Sequence, residues 1–129
     1  MEKDPKAEAC KHKPQLQLIP PVALVECSKA LECGANKYGQ YNWRFSEGVK
    51  VMDYIGAIKR HNDQFLDGQD LDDESKASHL GHIMATCAII LDAQANGKMI
   101  DDRPSAIQQQ QRYINEKLLW CRRNLTDTN

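Results

Sequence analysis

His79 and His82 stand three residues apart in the run SHLGH. On a helix that spacing puts both imidazoles on one face, a single turn apart. His61 lies upstream between Ile58 and Phe65, and a helix over that stretch turns all three toward the interior. Between the histidines the chain supplies Asp67, Asp70, Asp72, Asp73 and Glu74. Three imidazoles with one or two carboxylates from adjacent helices suit a divalent cation, and imidazole favours Mn, Fe, Ni or Zn over Mg. Glu74 is the acid best placed to join them, five residues ahead of His79 at the start of a helix. The plainer reading makes each histidine a satisfied polar group at a helix boundary, Glu74 a first-turn acid favoured by the helix dipole, and the acidic run a solvated loop.

A second group gathers Lys37, Tyr38, Asn42, Trp43 and Arg44 within eight residues, on a segment punctuated by Gly34, Gly39 and Gly48. Cations for oxygen atoms and rings for stacking are what a phosphate and a base would each want. The alternative is a surface loop whose Trp43 packs back on the core. Seventeen Lys and Arg against eighteen Asp and Glu give a net charge of -1, so bulk attraction to duplex nucleic acid is excluded and an anion must be held locally.

These residues need helices to carry them. Residues 1–15 are polar and without period, a flexible lead-in. Pro20, Pro21 and the pattern Val22, Val25, Cys27, Ala30, Leu31 predict a helix over 20–33 that Gly34 ends. Residues 34–48 read as a structured loop. Further helices are predicted over 49–66, 75–96 and 105–124, the second of these with a wide stripe of Leu80, Ile83, Met84, Cys87, Ile90 and Leu91. On the last helix Ile107, Gln111, Ile114, Leu118, Cys121 and Leu125 alternate steps of four and three, a narrow seam suited to a contact between subunits. No β-branched alternation occurs. The expectation is an all-α bundle of about four helices, with a domain over 16–103 and a packing or oligomerisation helix over 104–129.

A chain of 129 residues can bury a real core without staples. Five scattered cysteines without a C-x-x-C pair suggest neither disulfides nor a thiolate zinc site, and Cys27, Cys87 and Cys121 are expected as small core residues. No segment has the length of a membrane span or the apolar stretch of a signal peptide, so the protein is expected in the cytoplasm, without a membrane partner.

The ordered strings KPQLQLIPP, GANKYGQYNWR and AIKRHNDQFLDGQDLDDESKASHLGH resemble the phage dATP/dGTP diphosphohydrolase N-terminal family over about residues 13–103. The succession K-Y-G, N-W-R, R-H, D-G, D-x-E-S, H-L-x-H is far more specific than any one piece. The resemblance implies a MazG-like all-α enzyme that converts purine deoxynucleoside triphosphates to monophosphate and pyrophosphate with a divalent metal, Mg or Mn, or Fe, Ni or Zn given the histidines; the seam on the last helix adds the expectation of a homo-oligomer. MazG-like enzymes carry E-x-x-E and E-x-x-D pairs on two helices; here the second position reads HLGH, from His79 to His82. On this implication His61, Glu74, His79 and His82 hold the metal, and Lys37, Tyr38, Asn42, Trp43, Arg44 and Arg60 bind the nucleotide. Asp72 or Glu74 serves as the base, with Glu26 a more distant candidate. The competing class is a phage protein that binds or sequesters a nucleotide without turning it over, and a third reading gives these side chains only capping and packing roles.

Overall fold

A computed structural model describes residues 3–104 and 107–127, the side chains of 107–111 and 125–127 excepted. Its helices are α1 (Pro5–Cys10), α2 (Pro21–Tyr38), α3 (Asn42–Phe45), α4 (Val51–Leu66), α5 (His79–Ala95) and α6 (Ile107–Asp127). Two short strands, β1 (Val49–Lys50) and β2 (Met99–Ile100), pair in parallel. The all-α expectation holds. The strands escaped sequence reading because two residues carry no alternation to detect.

The start of the chain carries a short helix that its lack of period did not predict. Asp4 caps α1 by accepting the Lys6 N–H at 3.0 Å, and Pro5 is preset for a first helical position. Gly34 does not end α2. The helix runs on through Ala35, Asn36, Lys37 and Tyr38, and the chain leaves it only at Gly39, whose φ of 93° a residue with a Cβ resists. Lys37 and Tyr38 therefore sit on the last turn of a helix and not on a loop. One left-handed residue, Tyr41 at φ 54°, then admits the single turn of α3.

The acidic segment is equally well defined. Asp72 accepts the Ser75 N–H at 2.8 Å and its own N–H donates to the Ala77 carbonyl at 2.8 Å, while Lys76 takes φ 62° and Leu71 bridges Ser78. Those turns occupy residues that the apolar pattern assigned to the helix. Consequently α5 begins at His79, with the Ser78 hydroxyl accepting the Leu80 N–H at 3.2 Å as its cap.

Helix α5 lies between α2 and α4 and packs on both. Among the described residues the buried apolar side chains are Ala30, Val49, Val51, Ala77, Ala85 and Ala93. Such small residues bring helix axes close together. Closest of all is Gly81, where a Cβ would meet the Glu26 carbonyl oxygen at 2.5 Å, so the backbone of α2 rests directly on α5. The β1–β2 pair ties the head of α4 to the end of α5, with the Val49 N–H donating to Lys98 at 2.8 Å and Asp102 accepting the Met52 N–H at 2.8 Å.

Two cysteines depart from expectation: Cys87 and Cys121 are exposed, because the face of α5 bearing Cys87 and the whole of α6 from 112 to 124 are uncovered. Cys27 is half-buried, and burial followed by the nearby Cys87 thiol raises its pKa. Of the seam residues, Ile114, Leu118 and Cys121 lie on the surface, whereas the side chains of Ile107, Gln111 and Leu125 lie outside the described residues. No helix among the described residues is long and apolar enough to cross a membrane.

Candidate functional site

His79 is fully buried at the head of α5, and with Val49 it is one of the two largest wholly buried side chains described. A buried imidazole needs partners for both nitrogens. Its Nδ1 lies 2.8 Å from His61 Nδ1, across the α4–α5 interface, and its Nε2 lies 2.8 Å from Gln69 Oε1. The His61 ring also stacks on His82 at 4.5 Å between centroids with planes 1° apart, and His82 Nε2 meets the Ser75 hydroxyl at 2.6 Å. The three histidines thus converge as their spacing predicts, α4 and α5 being joined by a tightly turned segment over 67–78.

The carboxylate that joins them belongs to Asp72. Ligand atoms of His61, Asp72 and His79 all lie within 4.8 Å of one another. Burial pushes the Asp72 carboxyl up, but the Ser75 N–H and hydroxyl and the imidazoles of His82 and His61 outweigh that and hold it below its ordinary value. His61 and His82 are each held below the ordinary imidazole value, chiefly by burial and further by neighbouring rings. Neutral imidazoles beside an ionised carboxylate are the state in which these groups donate lone pairs to a cation. Glu74 is placed elsewhere: it is largely exposed and pairs with Lys37 at 2.6 Å, which raises the lysine's pKa.

His61, His82 and Asp72 border a cleft of about 1110 Å³ between α2, α3, α4 and α5. That is ample for a nucleoside triphosphate. Lys37, Tyr38, Asn42, Trp43, Arg60, Asp72 and Glu74 line it along with His61 and His82, while His79 stands behind the wall. Arg44 is not among the lining residues. Its guanidinium grips Asp92 on α5 through two hydrogen bonds of 2.8 and 2.6 Å, and the Trp43 indole N–H donates to the same carboxylate at 2.7 Å. Arg44 and then Trp43 lower the Asp92 carboxyl to about 2. Arg44 also lies 4.7 Å over the Tyr41 ring, which is itself 5.3 Å from Trp43. The aromatic segment is thereby clamped to α5, with Tyr41 53% exposed and available at the cleft.

Sequence reading missed Gln69, Gly81 and Asp92. An amide in an acidic loop and an acid near a helix end carry no local signal of their partners. Gly81 did carry one, as the glycine inside HLGH in a helix otherwise free of it.

The family described as dATP/dGTP diphosphohydrolase, N-terminal, matches residues 3–103. A protein of Salmonella phage PMBT28 named dATP/dGTP diphosphohydrolase is 33% identical over 91 residues, which is 70% of this chain and 30% of that protein. The chain therefore spans about a third of that relative's length. No solved structure matches. The family match takes in α2 through β2, and with it the imidazole cluster, the acidic turn and the clamped aromatic segment. This chain belongs to the dATP/dGTP diphosphohydrolase N-terminal family.

Proposed function

We propose that this domain binds a purine deoxynucleoside triphosphate in the cleft and hydrolyses it to monophosphate and pyrophosphate, with a divalent cation held by His61, His79 and Asp72. The observation that carries the reading is the placement of His61 and Asp72, with the buried His79 behind them, at the wall of a cleft of nucleotide size, in a chain of this family. The donor set fits a borderline cation such as Mn, Fe, Ni or Zn, and Mg less well. Such a cation, when bound, supplies charge stabilisation on phosphate oxygens and lowers the pKa of water.

The chain's own groups do the rest. Water adds to the α-phosphorus, the bond to the oxygen bridging to the β-phosphorus breaks, and pyrophosphate leaves. Glu74, at the rim, accepts the proton of the water. Lys37 turns from Glu74 toward the departing pyrophosphate, and Arg60 shares that charge. Tyr41 and Trp43 offer faces for the base, held still by the Arg44–Asp92 pair. Incubation of the purified chain with each dNTP and Mn or Mg, followed by separation of products, tests this: dGMP or dAMP with an equal amount of pyrophosphate is expected, and intact triphosphate would refute it.

One observation favours a second reading, a nucleotide-binding protein without turnover: HLGH, from His79 to His82, stands where MazG-like enzymes carry paired acids. Under that reading the same incubation gives bound but unchanged nucleotide.

Self-association belongs to the proposal. The chain exposes 10519 Å², where a compact monomer of 14.7 kDa exposes about 6,900 Å². Shared between two copies, that excess of about 3,600 Å² per chain would total about 7,200 Å², more than the roughly 2,000–5,000 Å² a stable homodimer commonly buries, so a second copy would cover part of it. Leu80 and Leu91 on α5, and Ile114 and Leu118 on α6, are part of that exposed apolar surface.

A further inference from the structure

A neutral imidazole carries one proton, and which nitrogen holds it decides which nitrogen has a lone pair. His79 is wholly buried, so its surroundings and not water settle the question. Gln69 Oε1, 2.8 Å from His79 Nε2, is a carbonyl oxygen and only accepts. The proton of His79 therefore sits on Nε2, and the Nδ1 lone pair points at His61 Nδ1, 2.8 Å away. In the absence of a cation, His61 donates its Nδ1 proton into that lone pair. When the His61 proton moves from Nδ1 to its own Nε2, two imidazole lone pairs converge beside the Asp72 carboxylate, the arrangement that would hold a cation.

From this geometry we infer that Gln69 is a positioning residue for the cation site: its amide oxygen fixes the His79 tautomer that leaves Nδ1 free to bind metal. The inference rests on the metal reading given above. Gln69 is well held for the task. It is half-buried, and its own N–H donates to the Gln64 carbonyl at 3.0 Å, continuing the end of α4. The next residue, Asp70, accepts the His79 N–H at 3.0 Å, so the backbone around Gln69 is fastened to the first turn of α5. Partners of this kind on the far side of a ligating imidazole typically contribute roughly ten- to a hundredfold in metal affinity.

The test uses the full chain and Co²⁺ alone, titrated calorimetrically into wild type, Gln69→Leu and Gln69→Glu, with nitrogen NMR of the histidine rings in the cation-free proteins. Gln69→Leu, which has no acceptor, is expected to bind Co²⁺ roughly ten- to a hundredfold more weakly. Gln69→Glu, which keeps one, should bind at least as tightly as wild type. The His79 signal should report a proton on Nε2 in wild type and in Gln69→Glu, and a mixture of tautomers in Gln69→Leu. Unchanged affinity in Gln69→Leu, lost affinity in Gln69→Glu, or a wild-type His79 protonated on Nδ1 would overturn the inference. If wild type binds no Co²⁺, the metal reading falls, and the tautomer measurement alone decides what Gln69 does.

Discussion

Replacing Gly81 by alanine puts a methyl carbon 2.5 Å from the Glu26 carbonyl oxygen and 2.9 Å from its carbonyl carbon. Both are backbone atoms, so no side-chain rotation relieves the clash and α2 must move off α5. In an unobstructed helix interior the same substitution is favourable by about 0.5–1 kcal/mol, since alanine loses less backbone freedom than glycine. Overpacking of a tight contact costs about 1–3 kcal/mol. The clash outweighs that gain over nearly the whole range, leaving a net loss of up to about 2.5 kcal/mol, or up to about 10 °C in Tm for a domain of this size. Gly34→Ala is the internal control. It also lies within a helix, but a Cβ there meets nothing within 4 Å, so it should raise Tm by a few degrees. Thermal unfolding of both variants by circular dichroism reads the two signs side by side. A Gly81→Ala protein as stable as Gly34→Ala would refute the close approach of α2 to α5, and with it the packing that seats His79 and His82.

Asp92→Asn removes the charge that Arg44 and Trp43 share, and the segment over 39–46 should lose amide-exchange protection while α5 keeps its own. Acid should do the same more gradually. Because the folded Asp92 pKa is depressed to about 2 from an unfolded value of about 3.9, the contribution of the clamp is complete above pH 4 and is lost as pH falls from about 4 toward 2, read by Trp43 emission in a Trp120→Phe background. Arg44→Ala should weaken nucleotide binding roughly ten- to a hundredfold, through release of the aromatic segment or loss of a phosphate contact, and unchanged affinity would make the clamp irrelevant to the ligand. Sedimentation at micromolar concentration should give a dimer or higher oligomer; a clean 14.7 kDa species would show that the exposed apolar surface needs no partner.

Much of this site is written locally. The three-residue step from His79 to His82 and the inward phase of His61 bring three imidazoles together once α4 and α5 pack side by side, as the helical period of their apolar residues favours. The identity of the acid is not local. Asp72 reaches the imidazoles, and Glu74 does not, because Lys76 takes a left-handed turn and Ser75 folds back onto Asp72, which no hydrophobic period encodes. The same turns explain why α5 starts at His79, four residues later than its apolar pattern suggests. Gly34 misled in the opposite sense: glycine permits a helix end without demanding one, and Gly39 was the residue whose backbone required it. Lys37 and Arg44 were legible as cations, but their partners Glu74 and Asp92 lie 37 and 48 residues away in sequence, beyond the reach of any spacing rule.

The most direct test of the account is to locate a cation. Crystals of the protein grown with Mn²⁺ and measured at the manganese absorption edge should show an anomalous peak between His61 Nδ1, His79 Nδ1 and the Asp72 carboxylate, in wild type and not in His61→Ala. A peak elsewhere in the cleft, or none in wild type at millimolar Mn²⁺, would contradict the assignment of this imidazole cluster as the metal centre.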